Sequence, residues 1–351
     1  MEKVTLHDVA VRAGVSDSTV SRALRGLDKV DERTRTHIQR IAATMHFAFS
    51  RNASSLASGR TMRVSLLFSN ALNTWFDSSV LQGAYEVLFP NSYDIVPSMV
   101  RDHAQLDAFF QRLPTDGNVD ALIVSSINLD SGQSAILRDL TIPTVGIDSR
   151  TIDGFDASVL VDDQQAMHDV VSLLRHLGHR QIAFVGWPEP GDFQFSTQLR
   201  VEAFKNAAQD LGYGTDEVQR FDVGKLSDYR NMDDALASAA ARILSAERRP
   251  TAICVETDEF AVALMAKLAS FGIRIPQDLS VIGFDDSDVA AAVNLTTVHQ
   301  DPVEMSRVAA TKALALMRGE ALTDPHSIIR PILMLRGTTG GMVGANGKAR
   351  T

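Results

Sequence analysis

Residues 5–24 constrain the fold more than any other stretch, because they predict two short helices joined by a tight turn. Four apolar residues recur at helical spacing and form one stripe on the first helix: Leu6, Val9, Ala10 and Ala13. Thr5 is placed to cap that helix, with Asp8 three residues later as in a capping box. Gly14 can adopt the positive φ of a turn, and Ser16 can cap a second helix. The pattern is typical of a helix-turn-helix, although an ordinary helical hairpin shares it.

The second helix has an apolar inner face and a polar outer face. The inner face consists of Val20, Ala23 and Leu24. The outer face carries side chains that can hydrogen-bond base edges and phosphates: Asp17, Ser18, Ser21, Arg22 and Arg25. We expect DNA contacts from these five residues and from three of their neighbours: Thr5, Ser16 and Thr19. Asp17 is unusual beside phosphates, so we expect it either to accept a hydrogen bond from a cytosine N4 or to charge the start of the helix.

A third helix closes this N-terminal unit, which is basic while the rest of the chain is acidic. Asp31 can cap a helix in which four apolar residues repeat at helical spacing: Ile38, Ile41, Ala42 and Met45. Residues 1–60 contain ten Lys/Arg and six Asp/Glu, whereas the whole chain has a formal net charge of −9. A basic unit on an acidic chain is expected of a protein that contacts phosphates with one end only.

Residues 50–60 form a linker with weak helical potential. Two helical turns fit within residues 51–57, but helices this short are marginal in water. We expect the segment to order only when a DNA minor groove holds it, with Leu56 as an apolar wedge and Arg51 and Ala53 beside it. A plain flexible tether is the alternative interpretation.

Motifs spread along essentially the whole chain extend this interpretation. They are residues 5–10 (TLHDVA), 13–16 (AGVS), 19–22 (TVSR), 55–57 (SLA), 178–183 (GHRQIA) and 280–286 (SVIGFDD), together with Arg200. In these motifs the chain resembles the lactose/galactose repressor (LacI/GalR) family. The resemblance implies a dimeric transcription factor that binds a pseudopalindromic double-stranded DNA operator, and it places Arg22 at the position that contacts a guanine. Phe49 and Ser50 replace the usual Pro-Asn before the hinge, which leaves the entry geometry of the hinge open.

After residue 60, apolar strand-like runs alternate with amphipathic helices, which predicts an α/β fold with doubly wound parallel sheets. About 280 residues exceed a comfortable single core, so we expect two lobes with a ligand cleft between them. The resemblance makes this a two-lobed, type I periplasmic-binding-protein-like effector domain whose chain crosses between lobes three times. The expected boundaries are a headpiece at 1–49, a hinge at 50–60, an effector domain at 61–339 (N-lobe 61–161 and 291–323, C-lobe 162–290 and 324–339) and a disordered tail at 340–351.

The effector site is expected in loops at the carboxyl ends of strands, where the cleft of such a fold opens. Asp148 and Asp285 end predicted strands, and Arg200 opens the helix after another strand. All three match family residues that hold the ligand. Carboxylates accept hydrogen bonds from sugar hydroxyls, and arginine donates a planar pair. A solvated surface charge is the ordinary alternative for each of them.

Six further residues stand beside the expected cleft loops: Ser69, Trp75, Phe76, Ser125, Phe193 and Thr257. Trp75 or Phe76 can stack on a sugar ring, but a place in the core or on a dimer face is an equal alternative. Thr257 stands where the family commonly has Asn, so a different hydroxyl pattern is expected there. Asp258, next to it, is as well suited to cap the following helix as to touch a ligand.

Other classes of function are excluded by what the sequence lacks. It has no apolar run that could span a membrane, no secretory leader, and a single cysteine, Cys254, in a predicted strand. Phosphate-binding loops, nucleophile elbows and zinc motifs are missing, and His176 and His179 fit a helix end better than a metal site. We therefore expect a cytoplasmic protein that is not an enzyme and that needs neither cofactor nor metal.

Together these observations predict a sequence-specific DNA-binding repressor whose operator affinity is controlled by a mono- or disaccharide in the interlobe cleft. The C-terminal stretch lacks the leucine heptads of a tetramerising helix, so we expect a homodimer. Three alternatives remain open: a purine or nucleoside effector, an effector that acts as a corepressor, and a sugar receptor with no role in gene control.

Overall fold

The computed structural model describes residues 4–24, 29–47, 60–69, 72–116, 118–186 and 197–341. The chain divides into two compact units, Met1–Met62 and Arg63–Thr351. Five residues of the expected sites lie outside the described residues: Arg25, Arg51, Ala53, Leu56 and Phe193. Nearly all of the expected hinge and tail lie outside them as well, so those two expectations stay predictions.

Three helices form the described part of the first unit: α1 (Leu6–Ala13), α2 (Asp17–Leu24) and α3 (Glu32–Thr44). Thr5 and Asp8 form a capping box at the start of α1, and Gly14 ends that helix at a φ of 67°. Asp31 caps α3 by accepting the N–H of Thr34 at 2.9 Å. Six small or branched apolar side chains make the core on which all three helices pack: Val9, Ala10, Val20, Ala23, Ile38 and Ala42.

One lobe of the second unit, the N-lobe, is built on a parallel sheet. Its strands are β1 (Arg63–Phe68), β2 (Asp94–Met99), β3 (Ala121–Ser125), β4 (Thr144–Ile147), β5 (Ala157–Val161) and β11 (His326–Ile329), in the spatial order β11-β5-β4-β3-β1-β2. Its helices are α4 (Trp75–Leu88), α5 (His103–Asp116), α6 (Ser131–Asp139) and α12 (Pro302–Met317). Burial on both faces explains why β1, β3 and β4 appear in the sequence as continuous apolar runs.

Helices α4 and α12 approach each other closely in the N-lobe. A Cβ added at Gly83 would lie 2.1 Å from the carbonyl oxygen of Val303, so only glycine fits at this crossing. The Ser306 hydroxyl on α12 donates a hydrogen bond to the carbonyl oxygen of Val80 on α4 at 2.6 Å, which stabilises the contact between these two helices. This packing fixes the middle of α4, and the first turn of the same helix lines the cleft.

The other lobe, the C-lobe, has a second parallel sheet. Its strands are β6 (Ile182–Val185), β7 (Val218–Phe221), β8 (Ala252–Val255) and β9 (Ser280–Ile282), in the order β7-β6-β8-β9. Its helices are α7 (Asp163–His176), α8 (Gln198–Asp210), α9 (Met232–Leu244), α10 (Asp258–Ser270) and α11 (Asp288–Ala292). The strand order places β6 and β8 in the centre, so their carboxyl ends face the middle of the cleft.

The chain passes between the lobes at three places, two of which differ from the expected boundaries. The first pass lies between β5 and α7, close to the expected position. The second follows β10 (Thr297–His299), because Leu295 still packs in the C-lobe core although 291–323 was assigned to the N-lobe. The third follows β11, which pairs with β5, so 326–329 belongs to the N-lobe although 324–339 was assigned to the C-lobe. Antiparallel pairing of β10 with β12 (Ile332–Met334) holds the last two passes together.

Within the part of the chain that the structure describes, no helix is both long and apolar enough to cross a membrane.

Candidate functional site

The exposed face of α2 is the candidate DNA-reading surface. Asp17, Ser18 and Arg22 are exposed, whereas Thr19 and Ser21 are half-buried. The Ser16 hydroxyl lies 2.9 Å from the hydroxyls of both Ser18 and Thr19, and it accepts the N–H of Thr19 at 3.2 Å. The first turn of α2 therefore presents a hydroxyl cluster on the same helix as the exposed Arg22, and the apolar core holds that helix in place.

Asp17 is paired with a residue that the sequence analysis did not select. The His7 imidazole Nδ1 on α1 lies 3.1 Å from the Asp17 carboxylate, and both side chains are largely exposed. A hydrogen bond between the two groups holds the Asp17 carboxylate at the start of α2. Only the helix-turn-helix packing brings these two residues together, since they are ten positions apart.

Thr5, an expected DNA contact, uses its side chain as a cap in this structure. Its hydroxyl donates to Asp8 Oδ2 at 2.7 Å and accepts the backbone N–H of Asp8 at 3.3 Å. The hydrogen bonds from Thr5 hold the pKa of Asp8 below its ordinary value. The capping role therefore fully accounts for the local geometry of Thr5.

The second candidate site is a cavity of about 380 Å³ in the Arg63–Thr351 unit. Side chains of both lobes line it, because the loops that follow β1, β3 and β4 face those that follow β8 and β9. Seven residues of the expected effector site line the cavity: Ser69, Trp75, Phe76, Asp148, Arg200, Thr257 and Asp285. The volume falls in the range of about 300–1,000 Å³ that is usual for small-molecule sites.

Ser125 is the expected residue that the structure places elsewhere. It lies inside β3, is 1% exposed and does not line the cavity, whereas the next residue, Ser126, does. Ser126 has a φ of 51°, and two further lining residues also have positive φ, Asp148 at 49° and Asp285 at 120°. Such backbone strain at non-glycine residues is concentrated at ligand sites, where loops turn sharply to present side chains.

Arg200 is the central cation of the cleft, and it is 2% exposed. Its Nε donates to Asp163 Oδ1 at 3.3 Å, and its Nη1 donates to the carbonyl oxygen of Glu256 at 2.9 Å. Its guanidinium carbon lies 3.5 Å from the centre of the Phe284 ring. Burial alone disfavours the charge on Arg200, but nearby carboxylates outweigh it and raise the pKa of Arg200.

The carboxyl groups around Arg200 respond to the same burial. Burial raises the pKa of Asp163 to about 7, although the charge of Arg200 opposes the shift. Burial also raises the pKa of Asp285 well above its ordinary value, again against Arg200, whose Nη1 lies 3.8 Å from Asp285 Oδ1. Asp163 begins α7, directly after the first pass between lobes. Arg200 therefore connects the cleft to a segment that must move if the lobes move.

Thr257 and Asp258 have different roles, although the sequence allowed Asp258 either to cap the following helix or to contact a ligand. Thr257 caps α10 by accepting the N–H of Phe260 at 3.4 Å, and it also lines the cavity. Asp258 accepts hydrogen bonds from Ser287 N–H at 2.9 Å and from the Thr297 hydroxyl at 2.6 Å. It is fully buried and its pKa is raised to about 6 by that burial. Asp258 therefore ties the C-lobe to the second pass instead of capping α10 or lining the cavity.

Several cavity residues were missed by the sequence analysis: Thr74, Asp77, Thr197, Leu226, Met232, Glu256, Glu259 and Gln300. Asp77 is 5% exposed and accepts a hydrogen bond from the Thr74 hydroxyl at 2.8 Å. Burial raises the pKa of Asp77 to about 6, and the bond from Thr74 opposes the shift. The Thr-x-x-Asp spacing at the start of α4 is a helix-start pattern, so the sequence signal for Asp77 was available.

His179 and Cys254, which were considered for metal binding or catalysis, are buried in the C-lobe. His179 is 2% exposed, with Nδ1 3.0 Å from the Thr251 hydroxyl and Nε2 3.0 Å from the carbonyl oxygen of Gly340. Cys254 is fully buried in β8, which raises the pKa of its thiol to about 12. Across the described ranges, no group of three or more His, Cys, Asp or Glu could hold a metal ion.

Comparisons with known proteins match both units of the chain. Residues 5–50 match the model of bacterial regulatory proteins of the lacI family, and residues 171–339 match that of the periplasmic binding protein-like domain. The chain is 27% identical over 334 residues to catabolite control protein A of Priestia megaterium, which covers 93% of this chain and 97% of that protein. It is 26% identical over 343 residues to the ribose operon repressor of Escherichia coli K12, covering 95% and 99%. A crystal structure of the lac repressor dimer bound to operator and the anti-inducer ONPF matches the fold with a TM-score of 0.81 at 24% identity, covering 97% and 100%.

Proposed function

Since the chain belongs to the lacI family of bacterial regulatory proteins and is a DNA-binding transcriptional regulator, not an enzyme, we propose that it is a repressor controlled by a small carbohydrate in the interlobe cleft. The observation that carries the proposal is the cavity of about 380 Å³ lined from both lobes, in the same chain as a helix-turn-helix. A ligand that bridges two lobes favours one spacing of the lobes over others.

The headpiece supports a division between base contacts and positioning contacts. Arg22 is exposed on α2, where its guanidinium can donate two hydrogen bonds to a guanine in the major groove. Ser16, Ser18 and Thr19 form the hydroxyl cluster at the N-terminal end of the same helix, which is suited to phosphates or base edges. Arg22 is therefore the proposed source of base preference.

The effector end supports a ligand rich in hydroxyl groups. Asp148 and Asp285 line the cavity with carboxyl groups, Arg200 lines it with a guanidinium, and Trp75 and Phe76 line it with aromatic side chains. Carboxylates and a guanidinium together bind polyols through paired hydrogen bonds, and rings bind the apolar face of a pyranose. The ribose operon repressor is named for the operon of a sugar, which agrees with this choice of ligand class.

A homodimer is proposed because of exposed apolar side chains at one end of the N-lobe. Tyr85 and Phe89 stack with ring centres 4.8 Å apart, yet they are 52% and 56% exposed. Met99, on the edge strand β2, is 52% exposed. A second copy is the fitting partner, because a two-fold dimer presents two headpieces to a pseudopalindromic operator. The Lac repressor structure named above is also a dimer on its operator.

Coupling between the two ends is proposed to act through linkage. If the hinge segments order only when both headpieces are bound to DNA, then any change in spacing between N-lobes changes operator affinity. A coupling of about 1–3 kcal/mol per site is sufficient for regulation. The sign of the coupling decides between induction and corepression.

Two measurements test the proposal. Thermal unfolding of the full chain is followed with mono- and disaccharides, nucleosides and purines, and we expect a rise in the unfolding temperature with a carbohydrate. Asp148→Asn is expected to abolish the rise, whereas Asp139→Asn, an exposed carboxylate on α6, is expected to leave it unchanged. Stabilisation by purines or nucleosides and by no carbohydrate would contradict the ligand class.

The hinge is tested separately by mobility shift on an operator selected from random DNA. Leu56→Ala is expected to weaken operator binding and to remove any DNA kink, because the apolar wedge is lost. Unchanged affinity and an unchanged kink would contradict the hinge account and leave the ligand class untouched.

A further inference from the structure

The charge of the cleft narrows the class of carbohydrate, an inference that rests on the proposed carbohydrate effector. Five carboxyl side chains line the cavity: Asp77, Asp148, Glu256, Glu259 and Asp285. Arg200 is the one basic side chain among the described residues that line it. The lining is therefore strongly acidic.

Arg200 cannot neutralise this lining, because its charge is already shared. Its Nε donates to Asp163, a carboxyl outside the cavity lining, and its Nη1 is 3.8 Å from Asp285. Nη1 also donates to the carbonyl oxygen of Glu256. Asp148 and Glu256 also help to raise the pKa of Arg200, so four carboxyl groups share one guanidinium before a ligand enters. The net charge of the described cavity lining therefore stays negative.

The cleft also has hydrogen-bond acceptors that lack donors. Gln300 is 4% exposed and lines the cavity, and its amide nitrogen donates to Asp285 Oδ1 at 2.6 Å. That bond orients the amide, because a carboxylate oxygen accepts hydrogen bonds. The opposite atom, Gln300 Oε1, is buried and has no hydrogen-bond partner among the described residues. A buried acceptor of this kind calls for a donor from a ligand.

Asp77 repeats the pattern on the other lobe. Its carboxylate is 5% exposed, and the Thr74 hydroxyl is the one side-chain donor that reaches it among the described residues. The raised pKa of Asp77 agrees with a buried carboxyl that lacks a counter-charge. A metal ion does not fit the acidic lining, because no group of three or more ligating side chains among the described residues could hold one.

We propose that the effector is an amino-substituted sugar whose protonated amino group is bound by the cleft carboxylates, with Asp77 and Glu259 as ligands from opposite lobes. An ammonium group has three donors and no acceptor, which complements a lining of acceptors. Trp75 and Phe76 line the same cavity, and the face of an aromatic ring attracts a cation. Sugar hydroxyls accept from Arg200 and donate to Gln300.

The same charge pattern links the ligand to lobe movement. Asp77 and Asp148 belong to the N-lobe, whereas Glu256, Glu259 and Asp285 belong to the C-lobe. Closing the cleft brings these carboxyl groups together, and keeping them ionised in a poorly solvated site costs free energy. A bound ammonium offsets that cost, but a neutral sugar does not. The amino group would therefore favour the closed form more than a neutral sugar of the same size.

Isothermal titration calorimetry on the full chain at neutral pH tests the proposal. The ligands are glucose, galactose and mannose, each compared with its 2-amino, N-acetylamino and uronate forms. In at least one series the amino sugar is expected to bind about tenfold or more tightly than its parent and its N-acetyl form. Uronates are expected not to bind, because their carboxylates face an acidic lining.

Two variants and a control separate charge from folding. Glu259→Gln removes an exposed carboxyl group that makes no hydrogen bond to any described residue. Asp77→Asn removes a buried carboxyl group that accepts a hydrogen bond from Thr74. Each is expected to lower the preference for the amino sugar over its parent about tenfold. Asp139→Asn, outside the cavity, is expected to leave the preference unchanged.

Each contrary outcome overturns a different statement. Parent sugars that bind as tightly as their amino forms, or uronates that bind, overturn the amino-sugar proposal and leave a carbohydrate repressor intact. No measurable binding of any of these compounds also overturns the amino-sugar proposal. Operator binding, measured on the same preparation without any sugar, shows whether the DNA-binding function stands independently of either result.

Discussion

Replacing Asp77 with Asn is expected to change the pH dependence of stability. The folded-state pKa of Asp77 is raised to about 6 from an unfolded value of 3.8, because the carboxyl is buried. A carboxyl with a raised folded pKa destabilises the fold once it ionises, so the cost is absent below pH 3.8 and complete above about pH 6. Asn keeps an oxygen for the Thr74 hydroxyl but does not titrate.

The magnitude follows from the size of that shift. A difference of about two pKa units corresponds to about 3 kcal/mol of unfolding free energy above pH 6. About half of this cost is already present at pH 5, because the unfolded carboxyl is mostly ionised there. The free energy of unfolding of Asp77→Asn, relative to wild type, is therefore expected to rise by about 1.5 kcal/mol between pH 5 and pH 7.5.

Urea unfolding followed by tryptophan fluorescence measures this difference, since Trp75 lies beside Asp77 at the start of α4. Asp139→Asn serves as the control, and its difference from wild type is expected to stay flat with pH. The constant part of the Asp77→Asn effect does not matter, because only its change with pH reports the titration. A difference that is flat, or that falls with rising pH, would refute the account of Asp77 as a buried carboxyl without a counter-charge.

Three further predictions concern the scaffold. Thr5→Ala removes both hydrogen bonds of the Thr5 hydroxyl, one of which caps the helix, and is expected to destabilise α1 by about 1 kcal/mol, seen as about fivefold faster hydrogen exchange of its amides. Gly83→Ala forces a Cβ to within 2.1 Å of the Val303 carbonyl oxygen, so urea unfolding should show a loss of about 1–3 kcal/mol or more. Cys254 is fully buried with a thiol pKa of about 12, so a thiol reagent at pH 8 should modify it only at the rate of unfolding.

The parts of the fold that were predictable from sequence are those with a strong local signal. The helix limits in the headpiece follow from caps, since Thr5, Gly14 and Asp31 each satisfy backbone groups that a helix end leaves free. Fully buried parallel strands such as β4 and β8 give apolar runs with clear ends. Edge strands gave no such signal. Strand β2 contains Pro97 and is only half-buried, and strand β7 has the exposed Arg220 next to its one buried residue, Phe221.

The candidate cleft was predictable as far as strand ends define it. Asp148 and Asp285 could be selected because Asp148 directly follows the buried strand β4 and Asp285 lies three residues beyond the buried strand β9. Asp77 was missed because it is the third residue of α4, where an acidic side chain is ordinarily explained by its favourable interaction with the helix N-terminus. Gln300 was missed because it lies between β10 and α12, in a pass between lobes that no local pattern marks. Residues such as Gln300 reach a site through tertiary contacts, so sequence spacing alone does not reveal them.

The central claim, that the N-terminal unit reads a symmetric operator, is tested most directly by selecting bound sequences from random double-stranded DNA with the full chain. The account predicts enrichment of a sequence with two inverted half-sites, and it predicts that Arg22→Ala relaxes the preference at one symmetric pair of positions, at a cost of about 1–3 kcal/mol per half-site. Arg138→Ala, an arginine paired with Asp153 on the surface of the other unit, should leave the selected sequence unchanged. No enriched sequence, an enriched sequence without two-fold symmetry, or a preference that Arg22→Ala does not alter would contradict the claim.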